Sequence, residues 1–179
     1  ATILDVVLDG LAPVFPGRIE LIGLPLGDTW PHPSLAGPDV GSDLVAFHKL
    51  STWLALSLIE PLDLAGVTVT DLDGLPGLAE YRNGGLFLDT GVLALADPAD
   101  AARKHPVDSP LVVGWRGMTV ALLDLLADAV RARLGVGAAA FPLACVLEGG
   151  SGAAGRAIAY ERRADGGPPL SVESDGTVF

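Results

Sequence analysis

A mainly helical protein with a few short strands is what this sequence predicts, and three observations carry the expectation. The segment Ser109 to Gly135 has the signals of a long capped helix. The stretch "LVAFHKLSTWLALSLIE" is apolar nearly all round, as a buried helix is. The β-branched runs, by contrast, are too short to build an extended sheet. With 179 residues the chain has the length of one domain and enough material to bury a sizeable core.

Taken in order, Thr2 to Phe15 opens on Thr-x-x-Asp and carries Ile3, Leu4, Val6, Val7, Leu8 and Leu11, so a buried helix is expected there. Pro13, Pro16 and Gly17 stop it, and "RIELIGL" reads as a short strand. Four prolines and three glycines between Pro25 and Ser42 argue against regular structure and for a stiff loop holding Asp28, Trp30 and His32 close together. Ser42 and Asp43 are set to cap a helix from Leu44 to Glu60, which Pro61 ends. In it, Lys49 and Trp53 share a face at i, i+4.

Val67 to Thr70 reads as a short strand. Asp97-Pro98 begins a helical turn reaching about Lys104. In the long helix that follows, Ser109 is the cap, Pro110 stands in the first turn, Arg131 and Arg133 face the C-terminal dipole, and Gly135 stops it. A short helix after Pro142, another through "AAGRAIAYERR" and an extended tail or hairpin in "PPLSVESDGTVF" complete the chain. No internal repeat is present.

Charge and composition narrow the function. The net charge is −11, with two lysines and nine arginines that form no basic stripe, so an extended nucleic acid would be repelled while a small metabolite or single phosphate would not. The uncharged run Leu134–Leu147 is shorter than a bilayer span and holds Pro142, so no membrane partner is expected. No secretory signal opens the sequence, which reads as cytoplasmic. The single Cys145 has no internal disulfide partner and is expected to be a small buried hydrophobe. His32, His48 and His105 lack metal-ligand spacing, and no P-loop, dinucleotide fingerprint or nucleophile elbow is present, so neither metal nor cofactor is expected. The glycine-rich "EGGSGAAGRA" offers backbone N–H groups to an anion where it opens a helix.

What remains is a set of polar groups in apolar or stiff surroundings: Asp28 and His32, His48 and Lys49, the triplet Glu80-Tyr81-Arg82, Asp108, and Trp115-Arg116. Two arrangements fit them. Acids, bases and cations around one pocket tune each other's ionisation for acid–base chemistry; the same groups also make buried ion pairs that tie helices together. Residue chemistry leaves both open.

The segments "FHKLSTWLALSLIEPL", "GLAEYRNGGLFLDTGVL", "HPVDSPLVVGWRGMTVALLD" and "SDGTVF" strongly resemble the uracil catabolism protein family, long carried as a domain of unknown function. The likeness covers almost the whole chain, and family members are about twice as long, so this sequence resembles their C-terminal part. A second similarity, F-x-K on a helix followed some thirty residues later by acidic-Tyr-Arg and glycine, is to the queuosine-salvage N-ribohydrolases. Those are helical, DNA-glycosylase-like bundles that cut a base from ribose. Phe47 and Lys49 match the first motif and Glu80, Tyr81 and Arg82 the second, with Glu standing where those enzymes have Asp.

The resemblance therefore implies uracil breakdown, with cleavage of an N-glycosidic bond in ribosylurea or a related N-riboside as the expected reaction. Glu80 would stabilise the oxocarbenium-like charge or activate water, Lys49 would hold Glu80 ionised or grip a phosphate, and Asp28 would act on the leaving nitrogen or the ribose. His32, Trp30, His48, Phe47, Trp53, Tyr81, Arg82 and Asp108 would complete the substrate pocket, with Trp30 and Trp53 excluding water and Arg82 pairing with Asp89 or Asp108. Two other classes stay in view: a non-catalytic ligand-binding or scaffolding subunit, and a metal-dependent amidohydrolase requiring a His and carboxylate cluster.

Overall fold

A computed structural model of the chain describes residues 2–11, 14 and 17–174. Seven helices and six short strands follow one another as α1 (Thr2–Leu11), β1 (Glu20–Leu21), β2 (Leu24–Pro25), β3 (Thr29–Pro31), β4 (Leu44–Ala46), α2 (Lys49–Ser57), α3 (Ile59–Leu64), α4 (Tyr81–Asp89), β5 (Lys104–Pro106), α5 (Pro110–Leu134), α6 (Leu143–Val146), α7 (Ala153–Arg162) and β6 (Ser171–Glu173). The strands make three separate pairs: β1 with β2 and β3 with β4 antiparallel, β5 with β6 parallel. The protein is mainly helical, as expected.

The hub is α5. Ser109 accepts from the Val112 N–H at 3.4 Å, Pro110 stands in the first turn, and Gly135 closes the helix at φ 68°, which only glycine takes readily. Its side chains enter every core cluster: Val113 joins Trp30, Phe47, Ala79 and Val107; Leu123 and Ala127 join Phe87, Leu143, Val146 and Leu147; Val112 and Trp115 join Leu170. By length and apolar composition α5 also meets the requirements for crossing a membrane. Here it is the helix around which the others pack.

Several expectations are corrected. The helix foreseen over Leu44–Glu60 begins five residues later, because Leu44–Ala46 pair with Thr29–Pro31 in a ladder between segments distant in sequence. His48, at φ 46° and ψ 42°, then turns the chain sharply into α2. The cap is neither Ser42 nor Asp43: the Asp28 carboxylate, brought across by β3, accepts from the Lys49 N–H at 3.0 Å. Pro61 does not end the helical run but sits in the first turn of α3, where its missing N–H costs little. The proline-rich loop contains β3 and a short turn of 3₁₀ helix at Pro33–Leu35.

Val67–Thr70 pairs with no strand among the described residues and is irregular rather than the expected strand. "RIELIGL" is a two-residue hairpin arm turning through Ile22 and Gly23, both at positive φ. α1 forms over Thr2–Leu11, and only Val7 is buried, with Val6 65% exposed. Cys145 is exposed rather than buried. The C-terminal strand pairs in parallel with β5 rather than closing a hairpin; Asp175–Phe179, with most of "SDGTVF", lie outside the described residues, as do Pro13, Phe15 and Pro16.

The glycine-rich segment after Cys145 does not open a helix. Leu147–Gly152 is a π-helical turn joining α6 to α7 in one continuous run, so its N–H groups do not form a free helix start.

Candidate functional site

Three helices converge on a cleft of about 790 Å³. α2 contributes Lys49 and Trp53, the start of α4 contributes Glu80 to Asn83, and the α6–α7 run contributes Leu147, Gly152 and Arg156. Lys49 and Trp53 lie one turn apart on the same face, as their spacing predicts, and Trp53 is 56% exposed as an open apolar wall.

Glu80 is the N-cap of α4. Its Oε1 accepts from the Asn83 N–H at 2.7 Å and its Oε2 from the Arg82 N–H at 3.0 Å. Both oxygens are thereby oriented by the helix they cap, and each keeps a lone pair for another donor. Beside it, the Arg82 Nε donates to the Tyr81 hydroxyl at 3.1 Å while the guanidinium packs 5.4 Å from the centroid of the Tyr81 ring. Asn83 is 2% exposed; its amide nitrogen donates to the Leu78 carbonyl at 3.3 Å, and its Oδ1 has no protein partner.

The start of α4 can lie here because its glycines admit neighbours that any side chain would exclude. A Cβ on Gly84 would fall 2.7 Å from both the Trp115 Nε1 and the Thr119 Oγ1, and the Trp115 indole instead donates to the Gly84 carbonyl at 3.0 Å. From the other side Gly155 of α7 lets that helix approach so closely that a Cβ there would stand 2.2 Å from the Arg82 carbonyl oxygen. The glycine pair after Arg82 is thus a packing device. α4 is held between α5 and α7 with its N-terminal charges facing the cleft.

Beneath the cleft lies a second group of charges. Arg116, fully buried on α5, donates to both Asp28 oxygens at 2.8 and 2.7 Å, donates through Nε to the Ala79 carbonyl at 3.2 Å, and lies 4.1 Å from the Phe47 ring centroid. Trp30 Nε1 donates to the same carboxylate at 2.7 Å. Burial alone would raise the Asp28 pKa, but the hydrogen bonds and charge of Arg116, with the Lys49 and Trp30 N–H groups, hold it below the usual carboxylate value. The clamp reaches both sides of the cleft: it caps the helix that begins at Lys49 and grips the carbonyl just before Glu80.

Lys49 itself is half-buried, and no carboxylate oxygen lies within 4.0 Å of it among the described residues. Burial lowers its pKa, opposed by the charge of Glu80, deepened by that of Arg116 and opposed again by Asp28.

Of the residues singled out from sequence, the fold gathers Lys49, Trp53, Glu80, Tyr81 and Arg82 in the cleft. Asp28, Trp30 and Phe47 are buried in the clamp. His48 packs over Gly27 away from the cleft, its pKa lowered by burial against the opposing charge of Asp28. His32 bonds to Ser34 at 2.6 Å and packs against Gly114, so it does not meet Asp28 at a common ligand site. Asp108 is exposed beside a different cavity of about 340 Å³. Arg82 pairs with neither Asp89 nor Asp108; Asp89 is held by Arg163. Among the described residues no group of three or more His, Cys, Asp and Glu side chains converges as a metal site would require.

Sequence reasoning missed Asn83 and Arg156. Asn83 stands next to the triplet, but a polar amide before two glycines carries no sequence signal of burial; Arg156 was one of nine scattered arginines with no local signal.

Comparison with known proteins decides the family. A family described as "Protein of unknown function (DUF1688)" matches residues 1–179. The chain belongs to this family. It is 40% identical over 198 aligned residues to uracil catabolism protein 4 of Lachancea kluyveri, covering 98% of this chain and 44% of that protein. It is 42% identical over 172 residues to protein urg3 of Schizosaccharomyces pombe, covering 94% of this chain and 42% of that one. This DUF1688 chain therefore spans less than half the length of the curated relatives it matches. No solved structure matches it.

Proposed function

We propose that this protein takes part in uracil breakdown and that its cleft hydrolyses the N-glycosidic bond of ribosylurea or a related N-riboside. The pathway follows from the printed name of the Lachancea kluyveri relative. The observation that supports the chemistry is the meeting of Lys49 and Glu80 in one cleft from motifs thirty residues apart, each fixed by the Asp28–Arg116 clamp beneath.

In this reading water attacks the anomeric carbon as the C–N bond breaks. Glu80 faces the developing oxocarbenium charge and takes the proton of the attacking water. The bonding electron pair leaves on the urea nitrogen, a poor leaving group that needs a proton. Asp28, both oxygens engaged by Arg116, is badly placed to give it; Lys49, made more acidic by burial, is the better donor. Trp53 and Leu56 form the apolar side that limits water.

The test is release of ribose and urea from ribosylurea and from its 5′-phosphate by the full-length protein and by Glu80→Gln. Turnover falling at least about a hundredfold in a variant that stays folded supports the reading. Absence of turnover of both compounds by folded protein overturns it. The result would then favour a non-catalytic subunit, a reading supported by the apolar groove of about 520 Å³ between Leu126, Leu134 and Phe141.

A further inference from the structure

The cleft holds more positive charge than its one described carboxylate answers. Lys49, Arg82 and Arg156 all line it, on three different helical segments, and among the described residues none has a carboxylate oxygen within 4.0 Å. Elsewhere Arg103, Arg116, Arg131 and Arg163 are each bonded to an aspartate, while Arg133 and Arg162 stand exposed on the surface rather than in a cleft. In a chain of net charge −11, acids outnumber bases two to one, so cations left without acids in a concave, partly desolvated place mark a position reserved for an outside anion.

The geometry also suggests how much charge that anion carries. Three cations facing Glu80 leave an excess of two, which a phosphate monoester near −2 at neutral pH would neutralise. Among the described residues, Arg82 uses only Nε internally, on the Tyr81 hydroxyl, with its two terminal nitrogens uncommitted, and Arg156 makes no side-chain hydrogen bond. A planar fork of N–H donors is suited to two phosphate oxygens at once. A second, independent feature points to a polar ligand: Asn83, 2% exposed on the cleft wall, has an Oδ1 with no protein donor, and such an atom is costly to bury unless a ligand N–H meets it.

Building on the N-riboside reading of the cleft, we propose that its substrate is a phosphate monoester, a 5′-phosphorylated riboside whose phosphate is held by Arg82 and Arg156, with Lys49 at the scissile end and Asn83 Oδ1 accepting an N–H of the nitrogenous group. Trp53 then covers the sugar between the two ends. The phosphate is not consumed; it supplies binding energy remote from the bond that breaks, which orients the anomeric carbon towards Glu80.

Titration calorimetry of the full-length protein with ribose 5-phosphate and with ribose tests this without requiring turnover. Ribose 5-phosphate is expected to bind at least about tenfold more tightly than ribose, and Arg82→Gln and Arg156→Gln each to remove about that preference, in line with a charge-assisted pair. Arg156 is exposed and makes no internal bond, so its variant should fold normally; Arg156→Lys should restore part of the preference. Equal affinity for the two sugars, or unchanged affinity for ribose 5-phosphate in the double variant, overturns the proposal. Tight, arginine-dependent binding in a protein that releases no urea would remove the hydrolase reading and leave the phosphate site standing.

Discussion

Two charged regions lie one above the other in this protein and are built on opposite rules. In the lower one, Asp28 and Arg116 are both buried and each hydrogen-bonding direction is met: two oxygens by two guanidinium nitrogens, Nε by the Ala79 carbonyl, the carboxylate again by Trp30 and the α2 N-terminus. In the upper one, Lys49, Arg82 and Arg156 share an open cleft and lack acidic partners among the described residues, while Glu80 keeps free lone pairs. Charges that complete one another inside the protein hold it together. Charges left incomplete at a half-buried surface are, on the proposal above, where a ligand is read.

The sharpest break of this contrast is in the clamp. Arg116→Ala strands the Asp28 carboxylate in the core, and a loss of about 3–5 kcal/mol is expected in denaturant unfolding. A variant within 1 kcal/mol of the parent would show that the pair is dispensable.

Acid probes the same pair. The Asp28 pKa is lower folded than unfolded, so its contribution is present above the unfolded value of 3.8 and disappears as pH falls through the still lower folded value. Melting temperature should therefore drop on acidification from about pH 5, and Asp28→Asn, less stable at neutral pH, should show a shallower drop. Parallel pH curves for the two proteins would remove Asp28 from the account.

Gly155→Ala comes next, since its Cβ must displace the Arg82 backbone: a cost on the order of 1–3 kcal/mol, with ribose 5-phosphate binding weakened because the α4 start moves. Unaltered binding would show that the helix contact does not set the cleft. Glu80→Gln should cost under about 1 kcal/mol, since an amide oxygen still caps, whereas the hydrolase reading expects turnover to be lost. The smallest effect has the opposite sign. Burial disfavours the charged Lys49 in the folded state, so Lys49→Met should leave stability at neutral pH equal or slightly higher while weakening ligand binding. A clear loss of stability would mean that Lys49 is a structural cation after all.

The legible parts of the molecule were those set by neighbours in sequence. Ser109, Pro110 and Gly135 delimit α5 by local chemistry, and Lys49 and Trp53 share a face through helix periodicity alone. What escaped was set by contacts across the chain. The start of α2 depends on β3 pairing with β4 and on a cap reaching over from Asp28, neither of which leaves a local trace. Asp28 itself looked like a site residue because an acid on a stiff loop reads the same whether it awaits a substrate or an arginine eighty-eight positions away. The Gly84-Gly85 pair makes sense only once Trp115, Thr119 and Pro169 are against it.

The π-helical turn at Leu147–Gly152 takes up a residue of extra length ahead of the arm that follows. A π turn holds one residue more than an α-helical turn spanning the same rise, so losing a single glycine there would restore regular winding and leave α7 in almost the same phase. Arg156 would keep its direction towards the cleft, and Gly155 its place against Arg82, whereas an insertion or deletion in the regular winding of α7 before them would turn both by about 100°. The turn is thus where the chain can carry a residue of extra length between α6 and α7 without turning Arg156 out of the cleft.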